Sequence, residues 1–135
     1  MPAHLTLFHA LPGDQAKPIK AELDAICRKR RPFDLVATGP RSLGRGVAIA
    51  FSSPELVALR QDLARAWRDW LTPQDLAKIA PHVTIQNKVS PEAARALLGE
   101  LRASFTPFTV RGEGLTLWRY LGGPWGRERN IRFGG

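Results

Sequence analysis

The chain has 135 residues, 44% of them apolar, and carries 20 Lys+Arg against 12 Asp+Glu, a formal net charge of +8. That is one domain's worth of chain, able to bury roughly two thirds of its unfolded surface, and 12 Gly with 11 Pro stay below the roughly 25–30% that marks low complexity. The single cysteine, Cys27, excludes an internal disulfide and a thiolate zinc site. No apolar run approaches the ~20 residues of a membrane span and the N-terminus lacks the layout of a secretory signal, so a cytoplasmic, membrane-free protein is expected. The positive charge points to anionic partners, nucleic acid first, and equally to the plainer reading of a merely basic surface.

Residues 3–11 alternate apolar and polar side chains and read as a strand closed by Pro12-Gly13. A helix is expected over 14–30, then strands over 32–39 and 46–51 with glycine-rich punctuation between them. Ser52 or Ser53 caps a helix over 54–70, whose Leu56, Leu59, Leu63, Ala66, Trp67 and Trp70 form an apolar stripe, so the two Trp are read as packing. Thr72-Pro73 starts a short helical turn, residues 81–89 read as a strand, and Ser90-Pro91 opens a helix to about 104. Segments 107–112, 114–121 and 129–133 close the chain as strands.

The chain also echoes itself. His4-Leu5-Thr6-Leu7 returns as His82-Val83-Thr84-Ile85, each ahead of a helix, and Pro32-Phe33 with Gly39 returns as Pro107-Phe108 with Gly114. The expected fold is a single α+β domain of two pseudo-symmetric strand-helix-strand-strand lobes, about 1–78 and 79–135, around a central cleft. In a strand, residues i and i+2 share a face, so each unit sets an imidazole beside a hydroxyl while Leu5, Leu7, Val83 and Ile85 point to the core. Imidazole gives and takes protons near neutrality. Two facing histidines serve as general base and general acid, and two Thr hydroxyls can hold the non-bridging oxygens of a phosphate between them. No Asp, Glu or Cys stands beside either pair at metal-ligand spacing, so neither a metal nor another cofactor is expected. His9 has the opposite parity and is read as structural.

With these motifs quoted, the sequence resembles the 2H phosphoesterase superfamily, which includes the bacterial 2′-5′ RNA ligase and cyclic phosphodiesterase proteins. The likeness runs through Pro2 to His9, Gly39 to Val47, Trp70 to Asp75, Pro81 to Val89, Leu117 to Tyr120 and Gly122 to Trp125. It implies His4 and His82 as catalytic residues and Thr6 and Thr84 as phosphate-binding ones. The implied reaction opens a nucleoside or RNA 2′,3′-cyclic phosphate to a 2′-phosphate, or nearly reverses this by joining RNA ends through a 2′-5′ bond without ATP. Members usually carry a strand and helix before the first motif, whereas Met1, Pro2 and Ala3 precede His4, so the N-terminal lobe is expected to be shortened.

Arg41 and Arg45, bracketing a turn, are candidate phosphate contacts, and Tyr120 with Trp125 are candidate base-stacking contacts if their face lines the cleft. The plainer readings are exposed turn residues and core packing. Arg28-Lys29-Arg30-Arg31 suits a helix C-terminus as well as an RNA patch. The expected partner is an RNA end or a small cyclic nucleotide, bound by a monomer. The alternatives to the enzyme are a non-catalytic RNA-binding module with the same basic cleft and a basic structural domain with incidental histidines.

Overall fold

In the computed structural model, which describes residues 3–120 and 125–134, three helices begin on the same device. Ser53-Pro54, Thr72-Pro73 and Ser90-Pro91 each place a hydroxyl that accepts a backbone N–H of the first turn, from Leu56 at 3.2 Å, Asp75 at 3.3 Å and Ala93 at 3.1 Å. The proline behind each supplies a preset φ and gives up an N–H that would have no helical partner. They open α2 (Pro54–Ala66), α3 (Pro73–Leu76) and α4 (Pro91–Ser104). The first helix, α1 (Ala16–Arg28), follows a 3-10 turn over Gly13–Gln15 and buries Ile19, Leu23 and Cys27, one per turn.

The α+β class holds. Strands β1 (Phe33–Ser42), β2 (Val47–Ser52), β3 (His82–Gln86) and β4 (Phe108–Gly112) form one antiparallel sheet in the order β3-β2-β1-β4. Strands β5 (Gly114–Tyr120) and β6 (Trp125–Arg132) form a second, two-stranded sheet. Each half of the sequence contributes two strands to the first sheet. Only Glu113 separates β4 from β5, and a side chain at Gly114 would put its Cβ 2.2 Å from the Ile131 carbonyl oxygen, so glycine is required at that step. The core takes Ile19, Leu23 and Cys27 from α1, Leu56, Leu59 and Leu63 from α2, Phe33 and Leu35 from β1, and Trp67 and Phe133. Leu115, Leu117 and Ile131 pack against it, so both sheets turn one face to the same helices.

Two expectations need correction. The strand over 3–11 is a coil joined to β3 by a single antiparallel bridge, Leu5 to Val83, and Ile85 is 51% exposed instead of buried. The second follows from a bulge: β2 pairs Val47 with Gln86 but Ala48 with Thr84, which leaves Ile85 without a partner on β2.

The N-terminal coil is held in place by side chains. The Asp75 carboxylate, fully buried, accepts the backbone N–H of His9 at 2.9 Å and of Ala10 at 3.0 Å, and the His9 imidazole Nδ1 lies 3.0 Å away. Arg60, also buried, donates Nε–H to the Leu7 carbonyl at 3.2 Å, donates to the Asp75 carbonyl, and sits 4.5 Å from the Phe8 ring centroid. Burial pushes the Asp75 pKa up, but the Ala10 and His9 N–H donors and the His9 ring outweigh it and hold the group below its ordinary value.

Asp75→Asn should therefore cost on the order of 1–3 kcal/mol for each poorly satisfied donor, read from the urea midpoint. Because the folded group has the lower pKa, its contribution is complete above pH 3.8, the ordinary value, and is lost as pH falls through the folded value. The wild-type protein should lose stability to acid in that range more steeply than the Asn variant. Equal acid slopes would show that Asp75 carries no such linkage. Cys27 is fully buried, and desolvation with nearby Asp24 pushes its thiol up to about 11. It should ignore a disulfide reagent in the native protein and react once in urea.

Candidate active site

The first sheet has one face against helices and one open. On β1, Phe33, Leu35 and Ala37 are buried while Asp34 and Val36 between them are exposed. Simple alternation would send Arg41 to the helix side with Leu35 and Ala37. The ladder instead slips by one residue between Ala37 and Gly39: Ala37 opposes Phe51, whereas Gly39 opposes Ala50. Thr38 is the extra residue, and its hydroxyl donates to the Ala50 carbonyl at 3.3 Å. Past this bulge every side chain of β1 changes face, and Arg41 joins the open side.

Two cross-strand rows result. Gly39 opposes Ala50, which opposes His82; Arg41 opposes Ala48, which opposes Thr84. Directly opposed residues share a face. His82 and Thr84 thus stand on the open side, with Ala50 and Ala48 as a small-residue floor between them and β1. Between the rows, Pro40, Ile49 and Val83 oppose one another and belong to the helix side.

The antiparallel bridge of Leu5 to Val83 adds the N-terminal coil beyond β3. Continued one residue each way, its register sets His4 across from Thr84 and Thr6 across from His82, while Leu5 packs against the core. The Nδ1 of His82 lies 2.8 Å from the Ala80 carbonyl oxygen. A carbonyl only accepts, so Nδ1 carries the hydrogen and Nε2 is left to take or give a proton. His4 is exposed.

Other sequence candidates lie elsewhere. Arg45 is exposed, and its Nε donates to the Val89 carbonyl at 3.1 Å while the Val89 N–H donates back to the Arg45 carbonyl at 3.0 Å. It ties the turn before β2 to the turn after β3. Next to it, a Cβ on Gly46 would come 2.0 Å from the Gln86 carbonyl oxygen, so only glycine lets the strands approach. Tyr120 and Trp125 are 61% and 46% exposed and oppose each other at the end of the β5–β6 pair, ring centroids 5.1 Å apart. Trp125 is the first residue of β6; Gly122 to Pro124 lie outside the described residues.

In the basic run, Arg30 pairs with Asp62, which also takes Arg65. A cavity of about 670 Å³ beside the end of α1 is lined by Lys29, Arg31 and Arg111 but also by Asp34 and Glu55, a mixed field and no anion site. Among the described residues no three His, Cys, Asp or Glu side chains converge as metal ligands, and no helix is long and apolar enough to cross a membrane.

Sequence reasoning missed Asp75 and Arg60, which hold the first motif in place. The one available signal was Thr72-Pro73-Gln74-Asp75, where an acid at the third helical position reads as a capping residue. Its carboxylate instead reaches residues 66 and 65 positions earlier in the chain.

None of the curated proteins compared with the chain matches it. Among solved structures, TT0787 of Thermus thermophilus superposes with a TM-score of 0.67 at 16% identity, over 100% of this chain and 81% of that one, a likeness of fold. The sequence profile of the 2′-5′ RNA ligase superfamily matches residues 1–124, a span that takes in both His-x-Thr units and every strand before β6. The chain belongs to the 2′-5′ RNA ligase superfamily, the 2H phosphoesterases.

Proposed function

We propose that the chain opens RNA or nucleoside 2′,3′-cyclic phosphates to 2′-phosphates by metal-independent acid–base catalysis, with 2′-5′ joining of RNA ends as its near-reversal. Membership of the superfamily supports phosphoesterase-type chemistry. The observation that carries the specific reading is the antiparallel bridge between Leu5 and Val83, whose register brings the two His-x-Thr units side by side. In regular antiparallel pairing, Cβ atoms lie about 5 Å apart across a row and about 7–8 Å apart on the diagonal. Regular continuation of that bridge would make His4 and His82 one such diagonal and Thr6 and Thr84 the other. Imidazoles at that separation can reach opposite sides of one phosphorus while two hydroxyls donate to its non-bridging oxygens.

In hydrolysis one neutral imidazole takes a proton from water as its oxygen bonds to phosphorus. The 3′-oxygen leaves as its bond to phosphorus breaks, and the other, protonated imidazole supplies its proton. The Ala80 carbonyl holds His82 in the tautomer that presents Nε2 for either role. Arg41, in the row of Thr84, supplies positive charge for the phosphate across the Ala48 floor. Arg45, engaged with Val89, contributes by holding the turn that follows β3.

His4→Ala and His82→Ala should each lower kcat/KM for a 2′,3′-cyclic nucleotide by on the order of 10²–10⁴-fold. His9→Ala, checked for folding by circular dichroism, should not. A folded His9 variant as impaired as the other two would overturn the assignment.

Turnover should survive excess EDTA, and its rate should fall on both sides of an optimum, because one imidazole must be neutral while the other is protonated. Loss of activity with chelator and its return with a divalent ion would replace this scheme with a metal site. RNA binding without any turnover would favour the non-catalytic module.

A further inference from the structure

The β5–β6 pair carries a bulge of its own that divides its charges between two faces. Leu117 opposes Arg129, but Trp118 opposes Arg127, so Glu128 is the extra residue and Arg127 and Arg129 point to opposite sides. On the helix side, charge is matched: Arg129 pairs with Asp24 of α1 at 2.7 Å, and Glu128 takes both Arg119 at 3.0 Å and Lys20 of α1 at 2.6 Å. Those three cations are already engaged.

The other side is different. Its successive rows are Thr116 with Asn130, Trp118 with Arg127, and Tyr120 with Trp125. The Thr116 hydroxyl bonds the Asn130 side chain at 3.0 Å, the Arg127 guanidinium lies 5.7 Å from the Trp118 ring centroid, and the Tyr120 and Trp125 rings are 5.1 Å apart. None of these six residues is acidic. Three aromatic rings, one cation and a polar row therefore share a face turned away from the helices, since Leu115, Leu117 and Ile131 turn the opposite face to the core.

We propose that this face is a stacking platform for single-stranded RNA. The proposal rests on the phosphoesterase reading above and adds to it a separate surface, on the β5–β6 pair, that holds the RNA strand. Bases stack on exposed rings whatever their sequence, and cations follow the backbone between them. Adjacent rows on one face advance by two residues, about 6.8 Å, which is close to the spacing of unstacked nucleotides in an extended strand. An acidic protein partner would match the cation but not a wall of rings, and the chain's net charge of +8 favours a polyanion.

The test is fluorescence anisotropy of a labelled single-stranded oligoribonucleotide ending in an ordinary 2′,3′-diol, a probe that carries no cyclic phosphate to turn over. Tyr120→Ala and Trp125→Ala should each weaken binding by on the order of 5–100-fold. Tyr120→Phe, which keeps the ring, should bind within about twofold of wild type, as should Leu76→Ala, which removes another side chain 53% exposed. Affinity should fall steeply with salt, and a duplex of the same sequence should bind more weakly. On an oligoribonucleotide ending in a cyclic phosphate, the two Ala variants should raise KM more than they lower kcat.

Wild-type affinity in the Tyr120→Ala Trp125→Ala double variant, or equal affinity for duplex, would overturn the platform whatever the turnover. So would self-association lost in Trp125→Ala without RNA binding, which would assign the face to a second copy of the chain. Ring-dependent binding in a wild-type protein that opens no cyclic phosphate would instead defeat the phosphoesterase reading and leave the platform standing.

Discussion

One buried carboxylate decides whether the first His-x-Thr unit has a position at all. Residues 3–11 lack the ladder of a strand; their only sheet pairing is one bridge, and a chain end tied so lightly frays unless something else holds it. Asp75 supplies the hold by accepting the His9 and Ala10 N–H groups from inside the protein, while Arg60 captures the Leu7 carbonyl. A charged acceptor in a water-poor setting makes stronger hydrogen bonds than a neutral one, and these donors hold the Asp75 pKa below its ordinary value. The same two side chains meet each other through the Asp75 carbonyl and the Arg60 guanidinium. The short α3 and the middle of α2 are thus a bracket for the coil, and the bracket is polar because the coil has unpaired backbone groups to satisfy.

Against that fixed coil, the sheet divides chemistry from packing by face. Rows that hold Leu5, Val83, Ile49 and Pro40 turn to the helices, and rows that hold His82, Thr84 and Arg41 turn away. Between β1 and β3 the row of small residues is covered by its neighbours: Ala48 is fully buried and Ala50 half-buried. The division continues in the β5–β6 pair, where leucines and compensated ion pairs face α1 and rings face outward.

Much of this was legible in the sequence. Ser53-Pro54, Thr72-Pro73 and Ser90-Pro91 marked their helices because capping is a local event, and the apolar spacing of α2 marked its buried stripe. The repeated His-x-Thr units pointed to the superfamily. What stayed hidden is what depends on partners. Alternation around Leu5 reads as a strand, but a strand needs a ladder along its length, and the coil has one bridge. Ile85 follows Val83 in parity yet loses its place to a bulge, and Arg41 gains its place from another. Asp75 reads as a helix cap, and nothing local announces that its carboxylate reaches residues more than sixty positions away.

The bulges at Thr38 and Glu128 have an evolutionary consequence. A bulge is an odd residue in an even count, so side-chain direction beyond it depends on how many residues the strand contains more than on which they are. Deleting the residue at position 38 would make β1 regular and leave Arg41 on the open side, now an odd number of residues from Leu35. Deleting the one at position 128 would likewise leave Arg127 beside Trp118 and Arg129 on the helix side. Loss of the bulge residue itself keeps the reading frame of the faces, whereas a single-residue insertion or deletion elsewhere in these strands breaks it. Relatives that preserve the arrangement should therefore vary in letter at these two places, or lack the bulge residue, and keep their length elsewhere in these strands.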